Sequence, residues 1–297
     1  MTFGISIYLF LFEFSKYFQI TSSSQLLVDT SKGSNRLQIN IDITMHRLPC
    51  SILSLDISDF TGHHTSNVKG TLQKTRLDES GKIIQKNSEK MGEDKEHEVI
   101  QPNIEELKKA LNNKEGCRLE GSISVLRLPG NFHVSSHAFF NIIKEFRANG
   151  TNINFDITHT VNHISFGEEK DIEMIKKDFN DGIITPLDNM KGDDTGDRRL
   201  FEYFIKIVPT EYVNLKGDKY NVFQFSAVQN KVESNMIPTI FFRYDISPIK
   251  VKFEKKNPQN FDGLINICAI IGGMFTIAGI LDTLLLRIFH KNSSKQE

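Results

Sequence analysis

The chain has 297 residues, with 36 Lys and Arg against 37 Asp and Glu and a formal net charge of −1. That length suffices for one large domain or two small ones with a sizeable core. The charge balance argues against nucleic acid as the main partner, because phosphate binding needs a basic excess or a basic face.

Met1 to Phe12 is uncharged and rich in Ile, Leu and Phe, and Glu13 and Lys16 then precede Tyr17 and Phe18. A cleaved secretory signal requires a basic n-region and a small-residue cleavage site. This segment opens Met-Thr-Phe-Gly, so a short signal-anchor over residues 1–18 fits better, with Glu13 and Lys16 snorkelling towards one interface. Beyond it, Leu37, Ile39, Ile41, Ile43 and Met45 alternate with polar residues, the period-2 pattern of a half-buried strand. Leu53, Leu55 and Ile57 repeat the pattern. Further strands are expected at Ile123 to Leu128, Ile153 to Ile157, Tyr203 to Val208, Val222 to Val228, Ile240 to Tyr244 and Ile249 to Phe253.

Many short strands predict a mostly β fold, a β-sandwich-like domain of paired antiparallel sheets over residues 19–263, flanked by membrane helices. Two charged segments interrupt it. Lys86 to Glu98 carries eight charges in thirteen residues and reads as a solvated loop, and Asp188 to Arg199 as a second one. Between them, Asn103 precedes Ile104, Leu107 and Leu111 at helical spacing, which predicts a short capped amphipathic helix within the 86–115 insert.

Leu264 to Leu281 is an uncharged run of 18 residues, and its apolar character continues to Phe289. At about 1.5 Å rise per residue such a run crosses a hydrocarbon core of roughly 30 Å, which makes 264–289 a membrane span. The tail 290–297 has His290, Lys291 and Lys295 against one acid, Glu297, and Arg287 precedes it; the positive-inside rule then favours a cytosolic tail and a luminal β domain. Lys250, Lys252, Lys255 and Lys256 on the other side weaken that inference.

Of three cysteines, Cys268 lies in the span. Cys50 and Cys117 suit one bridge in an oxidising lumen, or two buried free thiols. Asn149-Gly-Thr is a glycosylation sequon, usable only in the lumen. In the span, Cys268, Gly272 and Thr276 form one row of small residues and Ala269 and Gly273 a second, a pattern that lets helices approach closely and also occurs in ordinary Gly-rich spans.

The stretch Ile237-Pro-Thr-Ile-Phe-Phe-Arg-Tyr-Asp-Ile-Ser-Pro248, followed by Cys268 to Asp282, resembles the C-terminal signature of the ER–Golgi intermediate compartment (ERGIC) family of COPII vesicle membrane proteins. Gly116-Cys-Arg-Leu-Glu-Gly121 and Leu128-Pro-Gly-Asn-Phe-His-Val134 resemble its central motif, and His159 to Gly167 a further block. Val28 to Gly33 and Leu48-Pro-Cys50 resemble its N-terminal region. The resemblance implies a two-span protein with a large luminal domain, cycling between ER and Golgi in COPII and COPI carriers. It implies a role as a sorting factor or cargo receptor. Its partners would be another family member, in a homo- or hetero-oligomer, luminal cargo proteins and coat subunits. Family members begin with a longer first span; Ile5 to Phe18 resembles its second half, with Glu13 in the expected place, as an incomplete gene model would give. A CxxC loop or an inserted thioredoxin domain occurs in some members, and neither is present here.

That topology places eight of the nine histidines in the lumen. His133 with His137 and His159 with His163 are spaced i,i+4; on one strand such pairs share a face about 13 Å apart, too far to chelate a metal jointly. The remaining readings are a pH-sensing set, since histidine titrates between neutral ER and mildly acidic Golgi pH, or ordinary surface and core histidines. No cofactor or catalytic motif stands out: Gly-x-Ser-x-Gly, P-loop and His-Glu-x-x-His are all missing. The expected function is cargo sorting without enzymatic activity. The alternatives are a luminal folding factor allied to the disulfide isomerase branch and a structural subunit of a family complex.

Overall fold

The computed structural model describes residues 7, 8, 10–12, 14, 15, 20–29, 36–60, 69–91, 103–148, 156–179, 185–193, 199–234, 237–257 and 260–293. The chain divides into two compact units: Met1–Ser24, Val213–Asp218 and Phe253–Glu297 form one, Gln25–Tyr212 and Lys219–Lys252 the other.

The strands are β1 (Thr21–Val28), β2 (Arg36–Met45), β3 (Ser54–Asp59), β4 (Lys69–Leu77), β5 (Ile83–Met91), β6 (Gly116–Leu126), β7 (Gly130–Ser135), β8 (His159–Gly167), β9 (Met190–Gly192), β10 (Arg199–Val213), β11 (Lys219–Glu233), β12 (Thr239–Ile246) and β13 (Ile249–Lys256). The helices are α1 (Ile104–Asn112), α2 (Phe140–Ala148), α3 (Glu169–Asp178) and α4 (Asn260–Ser293), with 3-10 turns at Cys50–Ile52 and His137–Phe139.

The sheet runs β3-β7-β12-β10-β11-β8-β2-β6-β4-β5, with β9 beside β8 and β13 between β1 and β10. Strand β2 alternates without a break: Leu37, Ile39, Ile41, Ile43 and Met45 are buried, and the residues between them are half-buried. They share one core cluster with Phe132, Val134, Phe201, Tyr203, Ile240 and Phe242 from the other half of the strand order. The two halves thus bury their apolar faces in common, as in a sandwich. Two features differ from paired antiparallel sheets. β10 and β12 are parallel, and the hydrogen-bonded order is continuous through β10 and β11. Each of these strands has 15 residues, long enough at about 3.3 Å per residue to serve both halves.

A row of three rings crosses the core. Phe132, Phe242 and Tyr203 stand in register on β7, β12 and β10. Their rings stack at 4.7 and 4.8 Å between centroids. Beside β6 the backbones come unusually close. A Cβ at Gly121 would lie 2.1 Å from the Thr71 carbonyl oxygen, so only glycine fits in that register. Cys50 and Cys117 form a disulfide with Cα atoms 4.9 Å apart, tying the turn before β3 to β6.

Several expectations change. Residues 86–91 of the anticipated charged loop belong to β5, a solvated edge strand whose described side chains are all exposed. Within the second anticipated loop, Met190–Gly192 pairs with β8. Ile157 is buried but lies outside any strand. The rest of the strand expected at 153–157 falls almost wholly outside the described residues.

Helix α1 forms where its cap and spacing place it, but of the expected apolar face Ile104 is exposed and Leu111 only partly buried. The Asn103 side chain accepts a 3.0 Å hydrogen bond from the Glu105 amide, and Leu107 and Ala110 are buried. Replacing Asn103 with Ala is expected to lower stability by about 1 kcal/mol, read as a shift in denaturation midpoint. An unchanged midpoint would show that the cap is dispensable.

In the smaller unit, Ile265–Arg287 of α4 is a 23-residue stretch long and apolar enough to cross a membrane, the only one among the described residues. The expected first span over 1–18 is described at residues 7, 8, 10–12, 14 and 15, which are helical.

Candidate functional site

The strand registers assemble a polar row on the sheet face opposite the aromatic core. His133 on β7 stands between Phe132 and Val134, which point into the core, so its own side chain faces the other way. It is in register with Asp56 of β3 on one side and Phe241 of β12 on the other. Phe241 is in turn level with Glu202 of β10. Four adjacent strands therefore present Asp56, His133, Phe241 and Glu202 in a line.

The contacts along this row are specific. His133 Nε2 lies 3.6 Å from Asp56 Oδ2, and the same oxygen accepts a 2.9 Å hydrogen bond from the Ser54 hydroxyl. The imidazole lies 4.8 Å from the Phe241 ring, and the Arg243 guanidinium lies 4.8 Å over that ring as well. Arg243 Nε and Nη2 donate to Glu202 Oε1 at 3.0 and 2.9 Å. The strand ends at Ser135 and a 3-10 turn begins at His137, which brings the His137 ring to 5.8 Å from that of His133. The separation of about 13 Å expected for an uninterrupted strand therefore does not apply to this pair.

His133 is only 7% exposed although it faces away from the core. A proton on it would gain the Asp56 carboxylate and the Phe241 ring face and meet the His137 imidazole at close range. The row thus sets a carboxylate, an aromatic ring and a second imidazole around one nearly buried imidazole.

The other two histidines play separate parts. His159 is fully buried; its Nδ1 donates to the Ile157 carbonyl at 2.8 Å, and its Nε2 accepts from the Tyr203 hydroxyl at 2.8 Å. Burial pushes its pKa down to about 4. It stands edge-on to Phe201, and a Cβ on Gly192 would reach within 2.1 Å of its ring. His163, by contrast, donates from Nδ1 to Asp188 Oδ1 at 2.9 Å and is half-exposed. The i,i+4 spacing predicts one shared face, but a bulge after Val161 turns His163 to the face opposite His159.

A cleft of about 1020 Å³ elsewhere on the unit is lined by Arg47, Asp78, Arg118, Asp156 and Asn162. Its cations are engaged: Arg47 pairs with Asp156 at 3.1 Å and Arg118 with Asp42 at 2.6 Å. Among the described residues no cluster of three His, Cys, Asp or Glu side chains is placed to hold a metal ion. In α4, Cys268 and Ala269 are exposed, and nothing lies within 4 Å of a Cβ built on Gly272 or Gly273. The Thr276 hydroxyl donates to the Gly272 carbonyl at 2.9 Å. Asn149 lies outside the described residues.

Sequence reasoning singled out the histidines but not Asp56, Phe241, Arg243 or Glu202. Asp56 sits at a polar position of an alternating strand, a signal that marks exposure and says nothing of which strand will lie alongside.

Residues 82–282 match the family described as "Endoplasmic reticulum vesicle transporter", and residues 1–66 match "Endoplasmic Reticulum-Golgi Intermediate Compartment (ERGIC)". The chain belongs to the ERGIC family of vesicle transporters. It is 30% identical to endoplasmic reticulum-Golgi intermediate compartment protein 1 of Xenopus laevis, over 94% of this chain and 82% of that one. It is 29% identical to the probable intermediate compartment protein 3 of Dictyostelium discoideum, over 94% and 86%. The crystal structure of Erv41p shares the fold, with a TM-score of 0.50 at 21% identity over 77% of this chain and 99% of that one.

ERGIC proteins are membrane proteins of ER–Golgi vesicle transport. The stretches that carried the resemblance become neighbours in this fold. Leu128 to Val134 contributes β7 and Ile237 to Pro248 contributes β12, and the two strands pair. Two of the row's members, His133 and Phe241, come from those stretches.

Proposed function

We propose that this chain is a membrane cargo-sorting factor cycling between ER and Golgi in COPII and COPI vesicles, whose luminal β-rich unit binds partners in a pH-dependent way. In this reading it has two membrane helices, one near each end, a cytosolic C-terminal tail and no enzymatic activity. It works with another family member, luminal cargo and coat subunits. The observation that carries the reading is the convergence of His133 and His137 beside Asp56 and Phe241. Ordinary histidine titrates between the pH of the two compartments, so such a row is suited to releasing or engaging a partner along the route.

A thiol-redox folding factor is less well supported. Cys117 is fully buried and bridged to a nearly buried Cys50, whereas a reactive thiol must be accessible.

The test is affinity isolation of tagged full-length protein in mild detergent, at neutral and at mildly acidic pH. Recovery of a sister ERGIC protein, coat subunits and a pH-sensitive set of luminal proteins is the expected result. Recovery of oxidoreductases and unfolded clients, indifferent to pH, would overturn the sorting reading in favour of a folding factor. Loss of the protein on deletion of a sister chain, with no luminal protein recovered, would mark it as a structural subunit.

A further inference from the structure

We infer that the turn between β10 and β11 is a membrane-contact site, where Leu215 enters the interface of the bilayer that α4 crosses and Lys216 beside it meets lipid phosphate. The partner is a phospholipid surface. The inference rests on α4 crossing a membrane and is independent of cargo sorting.

Tight turns are built by Asn, Asp, Gly, Pro or Ser, and an apolar side chain at the tip is not needed to form one. The sequence here is Val213-Asn-Leu-Lys-Gly-Asp218. Asn214 builds the turn. Its side-chain oxygen accepts from the amides of Lys216 and Asp218, both at 2.9 Å, and its own amide donates to the Asp218 carbonyl at 3.1 Å. Gly217 completes it with a φ of +86°, in the left-handed region that favours glycine. The backbone is thus fixed by Asn214 and Gly217, and Leu215 is displayed at the tip, 41% exposed. Lys216 follows it and is exposed as well.

The surroundings of this tip are set by the smaller unit. It joins Val213–Asp218 to Met1–Ser24 and Phe253–Glu297, so the turn clusters with the chain that leads into α4. Strand direction agrees. β10 and β12 are parallel with Ile207 level with Ile246, and four residues further along each chain Lys250 bonds to Glu211, so β13 follows β10 in the same direction. β10 ends in the turn, and β13 ends at Lys256, shortly before α4 begins at Asn260. The four residue steps from Lys256 to Asn260 span at most about 14 Å. Asn260 stands about 7.5 Å of helix outside the apolar stretch that starts at Ile265, which is headgroup depth.

The same unit offers further contacts of the same two kinds. Ile20, 53% exposed, immediately precedes β1, and the Lys256 side chain at the end of β13 is 48% exposed. A leucine next to a lysine suits a bilayer interface, because the apolar side chain sinks below the phosphates while the ammonium snorkels up to them. A rigid turn that holds both side chains outward meets that interface at little entropic cost.

The test uses the purified full chain in phosphatidylcholine nanodiscs, with Cys268→Ala so that one introduced cysteine is the accessible thiol. That cysteine carries a nitrobenzoxadiazole label, and part of the lipid carries a nitroxide near the top of its acyl chains. Quenching of the label at Leu215→Cys should be at least about three-fold that at Ser80→Cys, on the turn between β4 and β5. Lys216→Glu should lower the quenching at Leu215→Cys by about half. With the label moved to Lys216→Cys, adding Leu215→Asp should again remove about half of the quenching. An intact Cys50–Cys117 bridge on a non-reducing gel shows that each variant has folded.

Equal quenching at Leu215→Cys and Ser80→Cys overturns the proposal. Quenching that survives Leu215→Asp and Lys216→Glu unchanged shows a turn merely tethered near the bilayer, and overturns it too. A blue-shifted label at Leu215→Cys without quenching puts a protein surface of a second copy on the turn in place of lipid. None of these outcomes touches the sorting reading, which fails separately in the affinity isolation.

Discussion

Replacing Cys50 and Cys117 together with Ala is expected to destabilise the β-rich unit by about 4 kcal/mol. The bridge closes a loop of 67 residues, and the chain entropy removed from the unfolded state by a loop of that length corresponds to about 4 kcal/mol at room temperature. The loop spans β3, β4, β5 and α1. Without the bridge, the turn that positions β3 loses its covalent tie to β6, and β3 carries Asp56 of the polar row. The double variant should therefore unfold at lower denaturant and also lose any pH-dependent binding. Chemical denaturation of wild type and variant in the same detergent measures the effect. A change below about 1 kcal/mol would mean that β3 is held by its pairing with β7 and its core contacts alone.

The second large effect concerns acid. His159 is neutral in the folded protein down to about pH 4, whereas in the unfolded chain it takes up a proton near its ordinary value of about 6.5. Above the upper value both states leave it neutral and its contribution is complete. As pH falls from there towards 4 the unfolded state gains protons that the folded state refuses, so stability declines. The loss reaches up to about 3 kcal/mol at the bottom of the window and is below about 1 kcal/mol at pH 6. His159→Gln should remove this decline and keep an acceptor for the Tyr203 hydroxyl, at some cost in baseline stability. Denaturation midpoints from pH 7 to 4 for both proteins test the assignment; an undiminished decline in the variant would place the acid-sensitive group elsewhere. The window also guides binding assays, because at pH 6 the fold is scarcely perturbed and a binding change cannot be blamed on His159.

How much of this was readable beforehand follows from the kind of signal each element carries. β2 lies between two strands with one face on the core, so its five apolar positions alternate without error. α1 announced itself through its cap and spacing. β5 did not, because an edge strand exposed on both faces has no apolar side to display. β8 hid behind its bulge: His159 and Val161 are inward before it and Ile164 and Phe166 after it, so no single period runs through. In β4, Gly70 and the buried Thr75 occupy places where apolar residues would have drawn the eye.

The site divides along the same line. The histidines were visible as residue types, and the structure separates them into a row member with its neighbour, a neutral core residue and a half-exposed residue hydrogen-bonded to Asp188. Their neighbours were not visible, because Asp56, Phe241 and Glu202 reach His133 only through strand register. Register between strands far apart in sequence leaves no local trace.

The central claim is that the His133–His137 row makes binding depend on pH. Its most direct test is the ratio of luminal protein recovered at pH 7 to that at pH 6, measured with the full-length chain, with His133→Gln/His137→Gln, and with His163→Gln. The account predicts a ratio far from one for wild type and for His163→Gln, and a ratio of one for the double variant with its fold intact. A double variant that keeps the wild-type ratio would contradict it.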